Sequence, residues 1–86
     1  NIVDAAIQLN AFPNPFMDDV AISFNIEDYQ NAKLNIYNVL GQQVAQTILT
    51  QNEGTLSLGS DLEAGIYMVQ IETADAVSSI VKLIKN

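Results

Sequence analysis

Eighty-six residues, 49% of them hydrophobic and 15% charged, supply one small globular domain and are too apolar for a disordered segment. Ten acidic residues against three lysines give a net charge of −7, which disfavours nucleic acid and anionic membrane surfaces as partners. Cysteine and histidine are both absent, which excludes disulfides, thiolate chemistry, imidazole metal ligands and a Ser-His-Asp triad.

The start, Asn1-Ile2-Val3-Asp4, has neither the basic residues nor the apolar stretch of a signal peptide, and the chain reads as a processed piece or an excised domain. No run approaches the roughly 18 apolar residues of a membrane-spanning helix. A short strand is predicted over residues 6–9. Pro13 and Pro15 then fix an extended or turning backbone and remove two donors, which protects the first sheet edge from strand addition. Val20, Ile22, Phe24 and Ile26 alternate with small or polar residues, the period-two signature of a half-buried strand. After the polar stretch 28–31, Leu34 and Ile36 continue the pattern, and Gly41 closes a tight hairpin behind Tyr37.

Over residues 44–49 the alternation falters, because Gln46 is in phase with Val44 and Ile48. A bulge or an edge strand is expected there. Asn52-Glu53-Gly54 reads as a turn before a strand over 55–58, and Ala64-Gly65 as another turn. Tyr67, Val69 and Ile71 then share one face, with Met68, Gln70 and Glu72 on the other. Residues 73–76 are polar or small, and 79–85 form a last strand, apolar on both faces and so more deeply covered. The sum is all-β: an immunoglobulin-like antiparallel sandwich of about seven short strands in a single domain, residues 1–86, without repeat or linker.

The remaining candidate chemistry is thin. Asp18-Asp19 and Glu27-Asp28, if brought together, would offer oxygen ligands to calcium; otherwise they are solvated charges at the two ends of one strand. A two-carboxylate glycosidase needs a deep cleft, for which so small a sandwich has little room. Tyr29, Tyr37 and Tyr67 are either a sugar-stacking platform or packing residues. No catalytic residue, metal ligand or cofactor is predicted, and the protein is not expected to be an enzyme.

Four segments carry a resemblance: Phe12-Pro13-Asn14-Pro15-Phe16, Leu34-Asn35-Ile36-Tyr37-Asn38-Val39-Leu40-Gly41-Gln42-Gln43-Val44, Leu62-Glu63-Ala64-Gly65-Ile66-Tyr67-Met68-Val69-Gln70-Ile71, and Lys82-Leu83-Ile84-Lys85-Asn86. In this order and spacing the chain resembles, over about residues 10–86, the type A C-terminal sorting domain of the type IX (Por) secretion system of Bacteroidetes. Pro13, Asn14, Pro15, Tyr37, Gly41, Gly65 and Tyr67 are its motif residues, partly architectural. The resemblance implies a signal that sends a fused upstream cargo from the periplasm across the outer membrane to the cell surface or beyond. It implies as partners the translocon, which reads Lys82, Leu83, Ile84, Lys85 and Asn86, and a sortase-like cysteine protease that removes the domain. Residues 1–9 are then a first strand or part of the junction to the cargo. The family often has Asp after the hairpin tyrosine and Arg after the hairpin glycine, where this chain has Asn38 and Gln42. A fibronectin-like accessory or carbohydrate-binding module of a secreted hydrolase is the alternative reading.

Overall fold

Alternating apolar residues build two sheets that close on each other. The computed structural model describes residues 2–3, 7–27, 31–74, 76–78 and 80–86. Its strands are β1 (Ile2–Val3), β2 (Gln8–Phe12), β3 (Val20–Asn25), β4 (Lys33–Asn38), β5 (Gln43–Ile48), β6 (Glu53–Leu58), β7 (Gly65–Glu72), β8 (Ala76–Val77) and β9 (Val81–Lys85). Seven of these have five residues or more, the number expected, and no described segment is helical. In the smaller sheet β3 lies between β2 and β6, all antiparallel. In the larger sheet β5, β4 and β7 are antiparallel neighbours. The far edge of β7 is shared: β9 pairs along residues 65–69, and β8 pairs at Glu72 with β1 parallel beyond it.

The inward residues form one core. Val20, Ile22 and Phe24 from β3, Leu34 and Ile36 from β4, Val69 and Ile71 from β7, and Leu83 from β9 are buried together with Phe16 and Tyr67. Each fully buried aliphatic side chain adds about 1.5–3 kcal/mol to the drive for the two sheets to close. From β2 onward the chain changes sheet between β3 and β4, between β5 and β6 and between β6 and β7. Between β2 and β3, which share a sheet, residues 13–15 bring Phe16 beside β9 of the other sheet.

Several details differ from the sequence reading. The first longer strand runs from Gln8 to Phe12, because β3 offers partners as far as Ala21 opposite Phe12; residue 6 lies outside the described residues. The turn expected at Asn52-Glu53-Gly54 ends two residues earlier, at Asn52. Glu53 and Gly54 belong to β6, where Gly54 stands opposite Phe24 and the Phe24 ring comes within 3.5 Å of where a Cβ would sit. β5 has both features predicted for it: it is the edge of the larger sheet, and Val44 is an extra residue between the pairs Ile36–Ala45 and Tyr37–Gln43. Its Val44 and Ile48 nevertheless face outward, while Ala45 packs on the core.

The last strand is covered on one face rather than two. Leu83 and Lys85 turn inward, and Lys82 is exposed.

Candidate functional site

The motif segments that lie farthest apart in sequence meet in space. β9 pairs with β7 along one edge, which leaves its other edge to be satisfied. The Asn14 carboxamide does part of this, accepting the Ile84 N–H at 3.0 Å and donating to the Lys82 carbonyl at 2.6 Å. Phe16 completes it by donating its N–H to the Ile84 carbonyl and accepting from Asn86 N–H, both at 2.9 Å. A side chain and one short backbone segment thus imitate a neighbouring strand. The prolines on either side of Asn14 have no N–H to leave unpaired, and both of their preceding peptide bonds are cis. The sequence reading gave Pro13 and Pro15 the protection of the first sheet edge, and the structure corrects this. The edge that this segment covers is that of the last strand.

The two C-terminal lysines part company. Residues three apart on a strand point to opposite faces, so one of them has to turn inward. That one is Lys85, which is 8% exposed. Its Nζ donates to the carbonyls of Gly59 and Ser60 at 2.5 and 3.1 Å and stands 5.7 Å from the centre of the Phe16 ring. The aliphatic stem fills the core edge while the ammonium finds two acceptors and an aromatic face, so burial leaves no donor stranded. Gly59 leaves room for the Phe16 ring here. Its φ is +94°, and a Cβ would lie 3.0 Å from the Phe16 ring. Of the five C-terminal residues, Lys82 and Asn86 are exposed, Ile84 is half-buried on the outer face, and Leu83 and Lys85 are inside.

The other motif residues serve the architecture. Gly41, at φ +82° with open space around it, closes the β4–β5 hairpin. Asn38 Oδ1 accepts the N–H groups of Leu40 and Gln42 at 2.9 and 3.0 Å, and Asn38 Nδ2 donates to Gln42 Oε1 at 2.9 Å. The residues that replace the family's usual charged pair are therefore still a pair, joined by a neutral hydrogen bond. Tyr67 is buried and its hydroxyl donates to the Glu63 carbonyl at 2.7 Å, tying the loop before β7 to the strand as a tyrosine corner does. Gly65 begins β7 with φ +157°.

Tyr37 lies half-buried on the outer face of the larger sheet and Tyr67 lies in the core, so these two form no common platform; Tyr29 is outside the described residues. β3 holds Asp18 and Asp19 at one end and Glu27 at the other, while Asp28 is outside the described residues. Asp19 accepts the Ser57 hydroxyl at 2.6 Å, and no cluster of three carboxylates forms among the described residues.

The family model of the secretion system C-terminal sorting domain matches residues 10–86, from the middle of β2 to the last residue. The chain belongs to this family. No curated protein and no solved structure matched. The sorting domain is the C-terminal signal of type IX secretion, which directs export to the cell surface or extracellular space and engages the secretion machinery. Domains of this family are not themselves catalytic. Sequence reasoning had the right segments but missed what joins them. The signal that could have separated the two lysines was the strand's own period of two.

Proposed function

We propose that this sorting domain is read by the translocon through the outward side chains of its last strand, chiefly Lys82, with Asn86 at the end. One observation supports the reading. Both edges of β9 are occupied, by β7 and by the Asn14–Phe16 strap, so a receptor cannot add a strand there and has side chains left to read. Lys82 has no described carboxylate beside it. Lys85 is committed to Gly59 and Ser60 and serves recognition indirectly, by anchoring the strand.

On this reading a fused cargo crosses the periplasm with the sandwich folded behind it, and the folded domain directs passage through the outer membrane. A sortase-like cysteine protease then cuts near residues 1–9, upstream of the segment the family model matches, and joins the cargo to lipopolysaccharide.

The test is a reporter fused to residues 1–86 in a type IX-competent bacterium. Deleting residues 82–86 is unsuitable, because it also removes Leu83 from the core and Lys85 from its carbonyls. Lys82→Glu is the clean variant. The expected result is surface display for the native domain and periplasmic retention of a folded fusion for Lys82→Glu. Native display by Lys82→Glu would sink the lysine-centred reading, and periplasmic retention of the unmutated fusion would sink the sorting role of this domain.

A further inference from the structure

The surroundings of Lys82 come from four separate stretches of sequence. On the outer face of the larger sheet, Lys82 of β9 is paired with Met68 of β7, which in turn faces Tyr37 of β4. In the next row Ile84 is paired with Ile66, and Val39 lies one residue beyond the last β4–β7 pair, Asn38–Tyr67. Several of these are open to solvent: Val39 is 66% exposed and Ile66 43%, with Val44 of the bulge at 42% in the row of Tyr37. The opposite end of the same face has another character. There the rows are Gln46–Asn35–Gln70 and Ile48–Lys33–Glu72, with Gln46 donating to Asn35 and Asn35 donating to Glu72.

Charge divides in the same way. Among the described residues, Asp18, Asp19, Glu27, Asp61 and Glu63 belong to loops and Glu53 to the smaller sheet. Glu72 is the one described carboxylate on the outer face of the larger sheet, at its polar end opposite Lys33. The apolar end therefore has Lys82 as its charge, on a chain of net −7.

We infer that the surface engaged during export is a composite face of the folded domain, formed by Tyr37, Val39, Ile66, Met68, Lys82 and Ile84. Its occupant is a protein surface of the secretion machinery that sets a carboxylate opposite Lys82 and apolar side chains around it. This rests on the reading of the last strand given above and extends it from a terminal peptide to a folded epitope. An isolated exposed ion pair contributes only about 0–1 kcal/mol, so a lone lysine is a weak address. The same pair ringed by apolar side chains is desolvated on contact, and burial of the ring adds the larger part of the affinity. A second copy of the chain fits poorly, because self-pairing would set Lys82 against Lys82 and bring two chains of net −7 together. An anionic lipid surface is disfavoured by the same net charge.

The test uses the reporter fusion with four single variants: Ile66→Ser, Val39→Ser, Lys82→Glu and, as a control on the polar end of the same face, Ile48→Ser. Each variant domain is also purified and its urea midpoint measured, with Val39→Ser supplying the result if Ile66→Ser unfolds, since Val39 lies in a turn outside the strands. The inference expects surface display to fall about tenfold or more for Ile66→Ser and Val39→Ser with midpoints held, and to stay native for Ile48→Ser. Native display by both apolar variants while Lys82→Glu is retained overturns the composite face and leaves the lysine reading standing. Native display by all of them overturns both. A purified domain that sediments as a dimer dispersed by Ile66→Ser, or that binds phosphatidylglycerol vesicles through Ile66, overturns the choice of occupant.

Discussion

Asn14 Oδ1 accepts the backbone N–H of Ile84 at 3.0 Å, so a side chain near the start of the domain occupies a ladder position on its last strand, 70 residues away. The same carboxamide donates to the Lys82 carbonyl, and Phe16 continues the imitation with its own backbone. An exposed sheet edge invites pairing with other chains, and proteins manage such edges explicitly. Here one asparagine between two prolines covers an edge that a full strand would otherwise have to cover.

Replacing Asn14 tests this. Asn14→Ala should cost about 1–2 kcal/mol in urea unfolding, at the modest net value of two solvent-accessible hydrogen bonds. Amide exchange at Ile84 should quicken more than at Asn86, whose N–H is held by Phe16. Asn14→Asp should be worse than Ala, because a carboxylate keeps the acceptor for Ile84 but sets a negative oxygen against the Lys82 carbonyl. Equal exchange rates in wild type and Asn14→Ala would show that the edge is held by something else.

The two lysines should respond unequally to charge reversal. Lys85→Glu places a carboxylate against the carbonyls of Gly59 and Ser60 and should destabilise on the order of 3 kcal/mol or more. Lys82→Glu, exposed and without a described partner, should change stability by less than about 0.5 kcal/mol. Thermal unfolding of the two purified domains separates them. A comparable loss in both would contradict the buried position of Lys85.

Two glycines can be ranked. Gly41→Ala meets open space but keeps φ at +82°, a cost of about 1–2 kcal/mol for an L residue. Gly59→Ala carries a similar backbone cost at +94° and also drives a Cβ to 3.0 Å from the buried Phe16 ring, so it should lose roughly 1 kcal/mol more. Denaturant midpoints in the reverse order would refute the close approach.

Tyr67→Phe removes the hydroxyl bond to the Glu63 carbonyl while leaving the ring in the core, and should cost about 1 kcal/mol. Unfolding that matches wild type would show that the loop before β7 is held without it.

Restoring the usual charged pair, Asn38→Asp with Gln42→Arg, should leave the hairpin intact. Aspartate can still accept both N–H groups that Asn38 accepts now, and an exposed ion pair changes stability by less than about 1 kcal/mol. Midpoints and surface display should match those of the native chain, and loss of display with an unchanged midpoint would mean that the pair takes part in recognition.

The strands legible in the sequence are those whose two faces meet different surroundings. Val20 to Ile26 and Tyr67 to Ile71 alternate cleanly because one face is core and the other is not. β5 reads poorly because Val44 and Ile48 point to solvent at an edge, where hydrophobicity does not report burial. Asn35 is 2% exposed although it belongs to the outer face, since Gln46 of the next strand donates to it and Glu72 accepts from it. Such burial depends on cross-strand neighbours, which no local window contains. The motif segments that meet at the last strand were legible as segments. Their meeting was not, because the pairing of Asn14 with β9 is a fact of topology.

The seal between Asn14 and β9 also makes the start of the domain depend on its end. Residues 81–86 are synthesised after the rest of the domain, and without them β7 lies open along residues 65–69, Phe16 loses its backbone partners and the core lacks Leu83. A prematurely terminated chain would therefore lack both the strand and the fold that presents it. The earliest motif of the domain therefore finds its partner only after its latest strand has been made, and the edge of that strand is closed by residues that waited some 70 positions for it.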